Sequence, residues 1–89
     1  MIRPATVHVT QVDIDNCQPD THNNNCIAVV LKRIKKRQDI KAYVHIGEIH
    51  IGKRVYDMDL WPHNRLIIQA NGYKIEPFEF ELTTWRMQP

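Results

Sequence analysis

The sequence contains no long hydrophobic run, and this absence excludes one large class of protein. A membrane-spanning helix needs about 20 consecutive apolar residues, and no stretch of this chain approaches that length. The first residues, Met-Ile-Arg-Pro-Ala-Thr, also lack the apolar core of a secretion signal. The sequence therefore predicts a soluble protein that does not act at a membrane.

Cysteine is scarce, and the two cysteines present support little thiol or metal chemistry. Without a secretion signal, Cys17 and Cys26 are expected to be reduced, although a disulfide stays open for an exported protein. Cys17, His22 and Cys26 would offer three zinc ligands, but the second closely spaced pair typical of zinc sites is missing. Cys26 at a helix start would have a stabilised thiolate, yet no spacing selects a histidine as its base. We predict no metal, no cofactor and no enzymatic activity.

The length of the chain limits its organisation to one core. With 89 residues, 43% of them hydrophobic, we predict a single α+β domain over residues 1–89 with a short tail at 83–89. Helix and strand signals follow the order β-α-β-β-α-β, which predicts an antiparallel sheet of about four strands with two helices on one face. Strands are predicted at 7–11, at 42–56 as two strands meeting near Gly47, and at 75–82, and helices at 26–37 and 61–70.

The first predicted helix carries an apolar stripe. Ile27, Val30, Leu31 and Ile34 have the i, i+3, i+4, i+7 spacing of one helix face, so all four are predicted to lie in the core. The polar segment 13–25 before this helix is predicted to be a loop whose last asparagines cap the helix. The other predicted core residues are Val7, Val9, Leu66, Ile67, Ala70, Phe78, Phe80 and Leu82.

Positive charge is concentrated in one segment. Residues 32–41 hold six cations and a single acid, Asp39, although the whole chain carries only +2. The basic cluster consists of Lys32, Arg33, Lys35, Lys36, Arg37 and Lys41, and Tyr43 follows closely. Such cations suit phosphate groups, but no helix-turn-helix, zinc-finger or RNP-like pattern accompanies them. A solvated helix face, a protein or phosphate-bearing ligand, and nucleic acid all stay open.

Negative charge collects on the last predicted strand. Glu79 and Glu81 share one strand face about 7 Å apart, and with Glu76 they form what we call the acidic face. Such a face serves solvation or discourages edge pairing; contact with the basic cluster of a second copy or a partner, giving a homodimer in the first case, is the alternative. Trp85 and Met87 in the tail indicate docking, either on their own domain or on another molecule.

Three short segments of the chain form a recognisable set: Val9-Thr10-Gln11 with Asp13-Ile14-Asp15, Cys26-Ile27-Ala28, and Pro77-Phe78-Glu79-Phe80-Glu81-Leu82. They resemble a family of small uncharacterised proteins carried by bacteriophages and prophages. Its members tend to read VTQ-x-HID near the start, CP-x-ALA at the first helix and PFEFEL at the end. Asp13 and Ile27 stand where the family usually has His and Pro. The resemblance implies a phage gene product in the cytoplasm of a bacterial host.

These observations favour a non-enzymatic phage protein that inhibits host defence by binding. The expected partner is a host protein complex, as for an inhibitor of CRISPR–Cas, or a nucleotide immune signal that the protein sequesters. For a nucleotide, phosphates are expected at the basic cluster and a base on Tyr43, Tyr56 or Trp61. The alternative is a small nucleic-acid-binding accessory protein that uses residues 32–41.

Overall fold

The computed structural model describes residues 5–82 and 85–88, which form an α+β domain, as predicted. In chain order the elements are β1 (Ala5–Val9), α1 (Gln11–Asp15), α2 (Cys26–Lys35), β2 (Ile40–Tyr43), β3 (Glu48–Ile51), β4 (Arg54–Asp57), α3 (Leu60–Ala70), β5 (Phe78–Leu82) and β6 (Trp85–Met87). The strands form two antiparallel sheets, β1-β5 and β2-β3-β4-β6, instead of the single sheet expected. No helix in the described ranges is long and apolar enough to span a membrane.

The short helix α1 lies in a segment that we predicted to be the end of a strand and a loop. Thr10 caps it, because its Oγ1 accepts the N–H of Asp13 at 3.3 Å while the Asp13 carboxylate accepts the N–H of Thr10 at 3.1 Å. This reciprocal arrangement is a capping box. A helix of five residues is too short to show a helical period, so only the cap signalled it.

The helix α2 begins where predicted and ends two residues early. Asn25 caps its start, and Lys36 adopts a left-handed conformation with φ of 54° that ends the helix at Lys35 instead of Arg37. The prediction that Ile34 belongs to the core is wrong, since its side chain is 49% exposed. The other three residues of the stripe are fully buried: Ile27, Val30 and Leu31.

Residues 40–57 form two consecutive hairpins, and the first agrees with the two strands that were predicted to meet near Gly47 as a hairpin or a bulged bend. The first turn ends at Gly47 with φ of 67°, and the second consists of Gly52 and Lys53, with φ of 60° at Gly52. Glycine at the first central position of a two-residue turn is typical of the II′ geometry that suits twisted strands. The second hairpin makes β4 a separate strand and gives β6 a strand to pair with.

The core collects buried residues from both sheets and from α2, which packs on β1 and on β2. Val7 and Val9 on β1 and Phe80 and Leu82 on β5 are buried, as predicted from their alternation. The remaining predicted core residues divide: Leu66 is buried, whereas Ile67, Ala70 and Phe78 are half-buried. The tail expected at 83–89 contains β6, and residues 83, 84 and 89 lie outside the described residues.

Candidate anion-binding groove

The inner face of the four-stranded sheet changes character across its width. On β2 and β3 its side chains are buried in the core, as Ile40 and Ile49 show. The register carries the same face through Tyr56 on β4 to Trp85 on β6. There, Trp85 is 38% exposed and Met87 is 57% exposed. The outer half of this face is thus accessible to a ligand.

A groove of about 580 Å³ lies over this accessible half, a volume within the range of small-molecule sites. The residues that line it, which we call the basic groove, are Lys35, Arg37, Ile51, Gly52, Lys53, Arg54, Tyr56, Trp85 and Met87. Four of them are cations and none is an acid. The basic groove is therefore a site with a positive potential.

The carboxyl-terminal end of α2 supplies two of these cations. After the left-handed Lys36, Arg37 forms a bidentate ion pair with Asp39, with N–O distances of 2.9 and 2.6 Å. The hydrogen bonds from Arg37 hold the pKa of Asp39 below its usual value. The pair holds the guanidinium against Gly52, where a Cβ would lie only 2.9 Å from Arg37 Nη2. A side chain at position 52 would therefore require the end of the Arg37 side chain to shift.

The second hairpin supplies the other two cations beside an aromatic ring. Lys53 lies in the turn, and the guanidinium carbon of Arg54 lies 4.2 Å from the ring centroid of Trp85. This distance is typical of a cation–π contact. Tyr56 lies deeper and is only 8% exposed. Arg54 covers one face of the Trp85 ring, and the exposed part of the ring lies among groups that can bind phosphate.

The structure divides the basic cluster predicted from the sequence. Lys35 and Arg37 line the basic groove, but two others are engaged elsewhere. Lys32 donates from Nζ to the carbonyl oxygen of Asn23, and Arg33 pairs with the Asp13 carboxylate at 3.0 Å. These two interactions hold α2 to the segment that precedes it in the sequence, so Lys32 and Arg33 have structural roles.

The remaining predicted binding residues lie away from the groove. Lys36 is exposed at the end of α2, and Lys41 is exposed on β2. The ring of Tyr43 lies between His22 and His50, with centroid distances of 4.8 and 4.7 Å. None of these three residues lines the groove. The predicted binding residues, although close in sequence, therefore do not form one continuous surface.

Sequence reasoning missed Lys53 and Arg54 as site residues. Their signal was present, because a Gly-Lys-Arg turn directly follows an alternating strand. Their proximity to Lys35 depends on the register of β4 and on where α2 ends. Neither can be predicted from the spacing of residues in the sequence. Trp85 was predicted to dock either on its own domain or on another molecule, and the structure pairs it with β4 of its own domain.

The acidic face lies on a different surface. Glu76, Glu79 and Glu81 are exposed, and Glu79 Oε2 lies 3.1 Å from His8 Nδ1 on the neighbouring strand of the two-stranded sheet. None of the three lines the basic groove. The two charged surfaces therefore do not form one binding site within a single chain.

The cysteines are free thiols, and their environment opposes ionisation. Burial raises the pKa of Cys26 to about 12 and also raises the pKa of Cys17. The expected stabilisation of a Cys26 thiolate by the helix start is thus overcome by desolvation. His22 does not join them in a metal site, since the described residues contain no group of His, Cys, Asp or Glu arranged to hold a metal ion.

The carboxylate of Asp13 makes the stability of the fold depend on pH. Burial alone would raise the pKa of Asp13, but hydrogen bonds from Thr10 and Arg33 outweigh it and lower the pKa below its usual value. Because the folded-state pKa is depressed, the ionised carboxylate stabilises the fold above the unfolded-state pKa of about 4. This stabilisation is lost as the pH falls through the folded-state pKa.

We expect Asp13→Asn to reduce the free energy of unfolding at pH 7 by about 2 kcal/mol. The deficit relative to the unsubstituted protein should shrink below about pH 4, where the native carboxylate also becomes protonated. Urea unfolding at pH 7, 5 and 3 measures this, with the exposed Asp15→Asn as the matched control. A deficit that stays constant down to pH 3 would contradict the role assigned to the charge.

Comparison with protein-family models, with curated proteins and with solved structures gives no match to this chain. The chain is a small α+β domain with a positively charged, partly aromatic groove. The resemblance to phage proteins stays a prediction.

Proposed function

We propose that this protein is a non-enzymatic binding protein that holds a nucleotide in the basic groove. The observation that carries the proposal is a groove that the half-exposed ring of Trp85 shares with four cations, of which Arg54 lies over the ring and Arg37 is paired with Asp39. Arginine and lysine bind phosphate oxygens, and a base stacked on an aromatic side chain contributes about 1–3 kcal/mol. A ligand with both a phosphate and a base would use both features.

The lining of the groove supports binding rather than turnover. It contains no carboxylate, imidazole or thiol, and its candidate nucleophiles or general bases are limited to Lys35, Lys53 and the buried Tyr56. The adjacent carboxylate, Asp39, is already engaged by Arg37. The proposal is that a bound nucleotide is released unchanged.

The biological role that we propose follows from the resemblance to phage proteins. A phage protein that sequesters a nucleotide immune signal in the cytoplasm of its bacterial host would inhibit host defence without catalysis. Binding to a host protein complex is the other form of inhibition. A nucleic-acid-binding accessory protein is the alternative function, and it would use the same cations on a longer anionic ligand.

The proposal is tested by titrating the protein with a panel of nucleotides. The panel contains cyclic mononucleotides and dinucleotides, ADP-ribose, ATP, inorganic phosphate and a single-stranded oligonucleotide. At a concentration 100 times Kd, a ligand stabilises the fold by about 2.7 kcal/mol, which raises the Tm of a domain this size by roughly 10 °C or more. In a Trp61→Phe variant, the fluorescence of Trp85 should change over the same range of ligand concentration as the Tm.

The outcomes separate the candidate functions. A nucleotide that raises Tm and alters Trp85 fluorescence supports sequestration. Binding of the oligonucleotide alone supports the nucleic-acid function, with an affinity that falls steeply with salt. If no member of the panel affects Tm or fluorescence, the proposal is wrong.

A further inference from the structure

The two edges of the four-stranded sheet differ in how their backbone groups are satisfied. At the β2 edge, the N–H of Ala42 donates to the carbonyl oxygen of His22 at 2.8 Å. The carbonyl oxygen of Ala42 accepts from Asn25 Nδ2 at 2.7 Å. The loop before α2 thus covers this edge, which protects it from pairing with another chain.

The β6 edge has no comparable cover among the described residues. The N–H of Gln88 donates to the carbonyl oxygen of Lys53 at 2.8 Å, so the backbone groups of Gln88 point towards β4. The backbone N–H and C=O groups of successive residues point in alternate directions along an antiparallel strand. The backbone groups of Arg86 therefore also point towards β4, whereas those of Trp85 and Met87 point away from it. Within the described part of the chain, no hydrogen bond satisfies these outward groups, and β4 is the one strand that pairs with β6.

The side chains at this edge lie on the groove side of the sheet. Trp85 and Met87 are opposite Tyr56 and Arg54 in the register, and both line the basic groove. If a new strand adds antiparallel to β6, some of its residues form hydrogen bonds with Trp85 and Met87. The side chains of those residues would lie on the same face of the sheet as the side chains of Trp85 and Met87. These side chains of the added strand would therefore enter the basic groove, which is lined by four cations and no acid.

We propose that the β6 edge accepts an extended segment of a partner protein by antiparallel strand addition, with acidic side chains at alternate positions directed into the basic groove. The main-chain bonds supply affinity, and the cations select the acidic sequence. A second copy of this chain is a poorer occupant, because pairing β6 with β6 would bring two sets of four cations together. The proposal goes beyond nucleotide binding and does not depend on it.

The probe is an acetylated and amidated peptide of seven residues in which Glu alternates with Val. Two isomers with two N-methyl groups each carry identical charge: one is methylated on two Glu amides, which would face β6, and the other on two Val amides, which would face solvent. We expect the unmethylated and Val-methylated peptides to bind. The Glu-methylated peptide should bind at least about tenfold more weakly, because each lost hydrogen bond weakens binding.

Two protein variants test the edge from the other side. Met87→Pro removes one outward N–H while keeping the bonds to β4, and it should weaken binding of the unmethylated peptide about tenfold. Met87→Ala keeps that N–H and removes the same side chain, so the tenfold loss is measured as the difference in affinity between the Met87→Pro and Met87→Ala variants. Circular dichroism and thermal unfolding establish that both variants fold, and the methylated peptides test the proposal on the unsubstituted protein in any case.

Three results would overturn the proposal. Equal binding of the two methylated isomers would show attraction by charge without strand addition. No binding of the unmethylated peptide to the unsubstituted protein would exclude this partner class. A dimer in sedimentation without peptide, abolished by Met87→Pro, would show that a second copy occupies the edge.

Discussion

The Asn25→Ala protein is expected to lose about 3 kcal/mol of its free energy of unfolding. Asn25 is fully buried, and its Oδ1 accepts the N–H of Ala28 at 3.0 Å, which caps α2. Its Nδ2 donates to the carbonyl oxygens of Thr21 at 2.9 Å and Ala42 at 2.7 Å. Loss of a cap costs about 1 kcal/mol, and a buried carbonyl left without its donor costs about 1–3 kcal/mol more.

Urea unfolding at pH 7 measures this loss, and two further variants divide it between the bonds. Asn25→Asp keeps the capping oxygen and removes the two donors, so it tests the link to Thr21 and Ala42. Asn24→Ala is the control, because Asn24 is half-buried and its side chain makes only a long contact of 3.4 Å with Lys32 Nζ. A loss below about 1 kcal/mol for Asn25→Ala would contradict the role assigned to this residue. For a domain whose stability is of the order of 5–15 kcal/mol, the expected loss is large.

The double variant Lys35→Glu with Lys53→Glu is expected to weaken nucleotide binding by about 100-fold. Each substitution replaces a cation of the basic groove with an acid that repels phosphate. A charge-assisted hydrogen bond contributes about 1.5–3 kcal/mol, so the loss of two exceeds the 2.8 kcal/mol that corresponds to about 100-fold. Isothermal titration with the nucleotide that raises Tm most strongly measures the change.

The matched control is Lys41→Glu with Lys74→Glu. It alters the net charge by the same amount at two exposed lysines that do not line the groove. Affinity should stay within about threefold, since separated surface charges are largely screened at physiological salt. Similar losses in both double variants would show that overall charge attracts the ligand and would argue against a defined site. Lys41 makes this control informative, because the basic cluster of the sequence includes it and the groove does not.

The nucleotide and strand-addition proposals use neighbouring parts of one surface. A nucleotide would lie over the ring of Trp85, whereas an added strand would pair with the backbone of Trp85 and Met87 at the edge. An acidic strand and a phosphate would compete for the same cations. Competition between the nucleotide and the alternating peptide, measured in one titration, would show whether the sites exclude one another.

Much of the fold could be predicted because the relevant signals are local. The burial of Ile27, Val30 and Leu31 follows from helical spacing, and that of Phe80 and Leu82 follows from alternation. Ile34 has the same spacing but lies on the last turn of α2, where neighbouring elements no longer cover it. Periodicity identifies the apolar face of a helix. How much of that face is buried depends on which elements pack against it.

The candidate site was predictable only in part, for a related reason. Lys35 and Arg37 were expected to bind an anion because they belong to a run of cations. Arg33 belongs to the same run, yet it is paired with the Asp13 carboxylate, 20 residues away in sequence. Runs of charge show where cations are concentrated, and only tertiary contacts show which of them are already engaged.

The sequence by itself determined the α+β class, the position of α2 and the alternation of β5, because these depend on contacts between near neighbours along the chain. The tertiary structure alone decided that β6 pairs with β4 and that the end of α2 lies beside the second hairpin. These two arrangements bring Lys35 and Arg37 to Lys53, Arg54 and Trp85. Residues so distant in sequence meet only when the sheets and the helix pack around a common core, so spacing could not reveal the groove.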